Sequence, residues 1–303
     1  MLSLLITIGR PHFVLAGFFL FLLGALFALC TGIPFNPGRF LWGYALVACA
    51  HLSVSYTNEY YDRHADDPDA RSPVSGGSGI LPVRPELAGH VRMLAVLLSV
   101  ASLLLAAGFV LSFSWTPLLI PFVLAGLFLS WGYSAPPFRF CSRGLGELAT
   151  LLAFGFFLPG SGYLVMAGTI DRGFLLFSVP LLFLGLFFIL SVELPDREVD
   201  LRSGKRNMVT RFGRGRTRLA IAGAGVVVLI IYLTFWLGHL LYPCPAGGFV
   251  LASLFPLAAG STGVLRSSDE REGICREAAL NIGSLTAFAV CSCIILAGMG
   301  VPA

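Results

Sequence analysis

Nine apolar runs, each about long enough to cross a bilayer, are strung along this chain with only short polar connections between them. A hydrocarbon core takes about 20 apolar residues of helix per crossing, whereas a membrane-barrel strand alternates in polarity over about 10 residues. The runs here are continuous, and inside lipid a helix satisfies its own backbone N–H and C=O groups. The chain is therefore expected to be an all-α, polytopic integral membrane protein of about nine transmembrane helices. The expected spans are Pro11–Cys30, Phe40–Tyr61, Met93–Phe113, Pro117–Ala135, Leu145–Gly168, Phe174–Val192, Leu219–Leu241, Ala246–Leu265 and Ala278–Met299. With 56% of residues hydrophobic and 12% charged, the composition excludes an ordinary soluble domain. Residues 1–303 are read as one domain without a soluble appendage. The start has neither the charged leader nor the small-residue cleavage site of a signal peptide, so the first span is read as retained.

Eighteen of the twenty Lys and Arg residues fall in connections on one side of this arrangement, leaving Arg39 and Arg172 on the other. The positive-inside rule assigns the basic side to the cytoplasm and the C-terminus to the outside. Every acidic residue except Asp171 shares the basic side. The net charge of +4 thus reads as a rim facing lipid headgroups, with no nucleic-acid partner. Seven cysteines give no C-x-x-C pair, and Cys291 and Cys293 point to different helix faces. They read as small apolar fillers.

Where the second span ends, Asn58, Asp62 and Asp66 stand four residues apart, and Asp196 and Asp200 repeat that spacing after the sixth. Side chains four apart lie on one helical face, provided that the second helix runs on through Asp66. Two such faces brought together make an oxygen-rich site suited to Mg²⁺, which commonly joins one or two carboxylates to a substrate diphosphate. Without a cation between them, converging carboxylates repel. The competing reading is a pair of helix ends solvated among headgroups, and two copies on one membrane face weigh against it. At a membrane surface the pattern points to chemistry on a lipid-tailed diphosphate. Asp62 to Asp196 and Asp66 to Asp200 are both 134 residues apart, so the chain reads as two four-helix halves plus a ninth helix.

Lys205 is the only lysine among the twenty basic residues and follows Gly204 directly. A compact ammonium suits phosphate oxygens, and a glycine lets the backbone turn to aim it. The connection from Asp62 to Arg92 is rich in turn formers, including Ser75-Gly76-Gly77-Ser78-Gly79, and reads either as a lid or as a plain connector. Neither a Walker pattern nor a G-x-G-x-x-G after a strand is present.

Asn58-x-x-x-Asp62-x-x-x-Asp66 and Asp196-x-x-x-Asp200-x-x-x-Gly204-Lys205 resemble the two aspartate motifs of the UbiA-type membrane prenyltransferases. Tyr133-Ser134-Ala135-Pro136-Pro137 with Arg143-Gly144-Leu145-Gly146-Glu147 is similar to that family's segment between its fourth and fifth helices. Gly76-Gly77-Ser78-Gly79-Ile80-Leu81-Pro82 and Leu194-Pro195-Asp196 lean toward the branch that includes 1,4-dihydroxy-2-naphthoate polyprenyltransferases. Two positions depart from the pattern. Glu59 stands where the family often has Asp, and Asn207-Met208 replace Thr-Leu; both bear on substrate preference.

The resemblance implies a helical bundle around a central cavity and transfer of a prenyl group from a polyprenyl diphosphate to an aromatic acceptor, as in menaquinone-type quinone synthesis. It implies Mg²⁺ held by Asp62, Asp66, Asp196 and Asp200, with Asn58, Lys205 and Arg71 neutralising the remaining diphosphate charge. Tyr133 is the candidate to face the allylic cation, or else an interfacial belt tyrosine. Arg10 and Arg143 are candidates to pair with an acceptor carboxylate, or in the case of Arg10 to anchor the first helix. His51 and His239 read as packed structural residues within spans, and Glu193 has no assigned role. Chlorophyllide, homogentisate, 4-hydroxybenzoate, haem and geranylgeranylglyceryl phosphate are the other acceptors the family offers. Among other classes, a CDP-alcohol phosphotransferase would show D-G-x-x-A-R, which is absent. A membrane transporter would not need two aspartate clusters on one face.

Overall fold

The computed structural model describes residues 2–64 and 77–298. Asp66, Arg71, Ser75 and Gly76 lie outside the described residues. Among the described residues every regular element is helical. A short α1 (Leu2–Ile8) meets α2 (Pro11–Cys30) at Arg10, and α3 spans Pro37–Asp62. A one-turn α4 (Ile80–Val83) precedes α5 (Ala88–Ser112) and α6 (Leu119–Ser134). Next, α7 (Gly146–Leu152) passes through a π-helical turn at Ala153–Phe157 into α8 (Leu158–Ala167). The chain closes with α9 (Arg172–Arg202), α10 (Met208–Leu237), α11 (Ala246–Leu265) and α12 (Arg271–Gly298).

Most of each apolar run is helical, and the protein is an integral, multi-pass membrane protein. Among the described residues seven helices are long and apolar enough to cross a membrane. The other two runs fall short of that measure for different reasons. With 16 residues α6 is short, and α3 is polar because His51, Ser55 and Asn58 on it line an internal cavity. Helix ends differ from the expected spans wherever charge begins. α9 continues to Arg202 through Pro195, so Glu193, Asp196 and Asp200 all ride on one helix. α10 starts at Met208 and bends at Gly213 (φ 77°), within its basic first turns. α3 ends at Asp62 and carries Asn58 and Asp62 on one face; Asp66, the third member of the expected stripe, lies outside the described residues. His239 is not inside a helix at all; it sits exposed in the turn after α10.

Some polar side chains between helices bond to one another. Ser53 of α3 lies 2.6 Å from Ser99 of α5, and Trp131 Nε1 of α6 donates to Ser99 Oγ at 2.9 Å. The bundle's centre is aromatic: Phe27 of α2 stacks on Phe177 of α9 at 4.1 Å. α2 and α8 cross backbone to backbone, since a Cβ at Gly24 would collide with the Pro159 carbonyl and one at Gly162 with the Phe21 carbonyl. This is how small residues let membrane helices approach. Gly162→Leu is therefore expected to cost about 3 kcal/mol or more, the upper range for overpacking a core. Size-exclusion of the detergent-solubilised variant should show loss of the monodisperse peak.

Candidate active site

A cavity of about 290 Å³ lies between α2, α3, α6, the α7–α8 rod and α9. Its lining changes from apolar to polar toward the C-terminal ends of both α3 and α9. On α3 the order is His51, Val54, Ser55, Asn58, Asp62; on α9 it is Phe188, Ile189, Val192, Glu193, Asp196, Asp200. The deep walls add Phe13, Leu20, Phe154 and Leu158. A long apolar wall ending in converging carboxylates matches an amphiphile with a charged head.

The end of α9 aims the lysine. Lys205 N–H donates to the Asp200 carbonyl at 3.0 Å and Gly204 N–H to the Leu201 carbonyl at 3.2 Å, with Gly204 left-handed at φ 75°. These two bonds are a Schellman ending, in which glycine takes the conformation that other residues rarely adopt. The turn brings Lys205 Nζ to 3.4 Å from Asp200 Oδ1 and 3.7 Å from Asp62 Oδ2. One ammonium thus joins the two acidic elements. Burial alone would push the Lys205 pKa down; the Asp62 and Asp200 charges outweigh it and raise it. Asn207 donates from Nδ2 to Asp200 Oδ2 at 2.6 Å, while its Oδ1 accepts from Thr210 N–H at 2.9 Å and caps α10. Ser134, at the end of α6, donates to Asp62 Oδ2 at 3.3 Å.

Of the residues singled out in the sequence, Asn58, Asp62, Tyr133, Asp196, Asp200, Lys205 and Arg10 line this one cavity. Asp66 and Arg71 lie outside the described residues. Arg143 is not brought in. The tight turn at Phe140–Ser142 buries Cys141 against the cavity and leaves Arg143 exposed. Arg10 reaches the wall, but Glu59 already engages its guanidinium, although Arg10 Nε stays buried without a partner among the described residues.

Sequence reasoning set Glu59 and Asn207 aside as departures bearing on substrate preference; they are supports. Glu59 is fully buried and accepts from Arg10, from Ser78 N–H and from Ser78 Oγ at 2.8 Å. It ties the start of α2, the end of α3 and residues 77–79 into one joint. Glu147 was also missed. Buried on α7, it accepts from Met208 N–H and fixes the start of α10 beside the lysine turn. Only the anomaly at positions 59 and 207 could have flagged the first two, and Glu147 carried no signal beyond its place in the Arg143–Glu147 segment.

Among the described residues, no three of His, Cys, Asp and Glu form a ready-made metal cluster. The donors that are present still suit a hard divalent cation. Asp62, Asp196 and Asp200 supply carboxylate oxygen to the cavity, and Asn58 Oδ1 is buried there without a partner among the described residues.

A membrane helical bundle with two acidic elements closing one end of an apolar cavity defines the class. The chain belongs to the UbiA prenyltransferase family, whose model matches residues 17–282. It is 31% identical over 240 residues to the 1,4-dihydroxy-2-naphthoate octaprenyltransferase of Mycobacterium tuberculosis, covering 75% of this chain and 76% of that one. It is 25% identical over 174 residues to the 2-carboxy-1,4-naphthoquinone phytyltransferase of Synechocystis sp., covering 55% of this chain. The chain spans about half, 54%, of that relative's length. Both names belong to the naphthoate-type branch toward which the loop motifs lean. The fold is similar to that of a UbiA homolog from Archaeoglobus fulgidus bound to DMAPP and Mg²⁺. That likeness has a TM-score of 0.65 at 15% identity and covers 95% of this chain and 98% of the other.

Proposed function

We propose that this chain transfers a prenyl group from a polyprenyl diphosphate to an aromatic quinone precursor, 1,4-dihydroxy-2-naphthoate by preference, in a menaquinone-type pathway. The observation that carries the reading is the meeting of Asp62 and Asp200 about one lysine at the polar end of an apolar cavity. The apolar wall suits the isoprenoid tail, and the carboxylate–lysine end suits the diphosphate. Asp62 and Asp200, with Asp196 and Asp66, are the residues that would hold Mg²⁺; when bound, it would neutralise diphosphate charge as the allylic C–O bond breaks. Lys205 and Arg71 offer further positive charge to the phosphate oxygens, and the Asn58 amide completes the polar end. Tyr133, on the wall between the polar and apolar parts, turns an aromatic ring toward the forming cation. The buried Arg10 Nε is the donor this reading assigns to an acceptor carboxylate.

The two four-helix halves each contribute one acidic element in this scheme, α3 from the first and α9 from the second. The site faces the cytoplasm, because the connections on its side hold eighteen of the twenty basic residues. The test is incubation of the purified protein with labelled geranylgeranyl diphosphate, Mg²⁺ and a mixture of acceptors, with products identified by mass. A prenylated naphthoate product that disappears with EDTA is expected. A product formed only from a glycerol phosphate or a tetrapyrrole would sink the aromatic reading, and EDTA-insensitive turnover would sink the metal assignment.

A further inference from the structure

Glu193 lies on α9 beside the aspartate–lysine end. It stands three residues before Asp196 and seven before Asp200 on α9, so the three share a face. Three residues of helix place it about 4.5 Å deeper than Asp196 along the axis. It lines the cavity, and only 7% of the residue is exposed. Its Oε2 is buried with no hydrogen-bond partner among the described residues. At this depth the walls are Ile189, Val192 and, from α6, Tyr133. A buried acceptor oxygen left unpaired weakens a fold, so one that persists at a cavity wall points to a ligand that satisfies it. As a carboxylate, Glu193 calls for a donor from the ligand. A diphosphate oxygen would be repelled, and an isoprenoid tail has nothing to offer; a ring hydroxyl on an aromatic acceptor fits both the oxygen and the apolar walls around it.

We propose that Glu193 is a catalytic residue of the acceptor side: its carboxylate accepts a hydrogen bond from a ring hydroxyl of the acceptor and takes that proton as the ring attacks. This rests on the prenyl-transfer reading above and adds to it a required feature of the acceptor, a free hydroxyl conjugated with the attacked carbon. The ring's electron pair forms the new C–C bond to the allylic carbon, while the allylic C–O pair leaves with the diphosphate. The hydroxyl proton passes to Glu193 and the ring oxygen becomes a carbonyl. Loss of a proton to the departed diphosphate, or of the ring carboxylate as CO₂, from the alkylated carbon then restores the aromatic ring, and Glu193 returns its proton to the oxygen.

The experiment uses the purified full chain with labelled geranylgeranyl diphosphate and three acceptors, 1,4-dihydroxy-2-naphthoate and its two mono-O-methyl ethers. Wild-type protein should favour the free hydroxyl. Glu193→Gln should lower kcat about 100-fold or more, the usual worth of a positioned proton acceptor, with the KM for the diphosphate unchanged. The preference for the free hydroxyl should collapse in the same variant. Glu193→Asp, which keeps a carboxylate, should restore the preference and part of the rate. Neutralising a carboxyl whose Oε2 is buried without a partner among the described residues should leave the melting temperature of the glutamine variant at or above that of wild type, which separates chemistry from folding. Wild-type turnover in Glu193→Gln, an undiminished hydroxyl preference, or a change confined to the diphosphate KM would each overturn the assignment. If wild-type protein itself prenylates no aromatic acceptor, the underlying reading fails and this inference with it.

Discussion

Asp62→Asn and Asp200→Asn are each expected to lower prenyl-transfer turnover by about 100-fold or more, as loss of a charge-stabilising group does in a water-poor site. Asparagine keeps the shape and removes the charge. In the present geometry each carboxylate has a named partner. Asp62 meets Lys205 and Ser134, and Asp200 meets Lys205 and Asn207. Either substitution leaves one acidic element facing the diphosphate, so the pair should behave as a unit, and the double variant should lose little more than either single one. Each variant leaves the Lys205 ammonium with one carboxylate in place of two, so in metal-free buffer the detergent melting temperature should fall while the protein stays folded. Turnover within about threefold of wild type in either variant would remove these residues from the chemistry, given the magnitude such groups usually carry.

Lys205→Met should be nearly as damaging, but with a different signature. The methionine fills the same space and takes away the one ammonium shared by Asp62 and Asp200. Turnover should fall, and in metal-free buffer the variant should melt below wild type, because two half-buried carboxylates then face each other without a cation. Adding Mg²⁺ should raise its melting temperature more than that of wild type, since a ligand stabilises by its affinity for the folded state and the variant's site has the larger charge deficit. An equal Mg²⁺ shift in both proteins would argue that the cation binds elsewhere. The pH dependence has a definite sign. The folded pKa of Lys205 is raised, so its stabilising charge is complete below the unfolded value of about 10.4 and is lost only as pH climbs through the higher folded value. Any fall in activity between neutrality and mild alkali must therefore come from another group.

How much of this was legible in the sequence depended on whether the cause was local. The apolar runs declare themselves because lipid tolerates little else, and the four-residue spacing of Asn58 and Asp62, or of Asp196 and Asp200, states a shared helical face outright. Gly204 before the lone lysine was also a local signal, and the turn it makes carries the site's cation. Hydropathy reads where lipid stops rather than where a helix stops, so α9 overran its expected end by ten residues, from Val192 to Arg202. The joint of Arg10, Glu59 and Ser78 had no local signal, because it exists only once three distant segments meet. Arg143 failed as a site residue for a related reason. A tight turn decides which side chains face inward, and here it chose Cys141.

The contact between Lys205, Asp62 and Asp200 also works as a ruler for the whole molecule. A hydropathy threshold alone passes over α3 and α6 and threads the chain as though both stayed on one surface. On such a threading α2 would carry the chain to the far leaflet, Asp62 would stay there, and α9 would return Asp200 to the near one. Two carboxylates on opposite leaflets cannot lie within 3.7 Å and 3.4 Å of the same ammonium. Where α5, the α7–α8 segment and α9 all cross, the shared ammonium requires α6 to cross as well, and the bond from Ser134 to Asp62 asks the same; where α2 crosses, the pairing of Arg10 with Glu59 carries α3 through. The odd-and-even bookkeeping of the chain's path is thus held by one lysine and one buried arginine–glutamate pair.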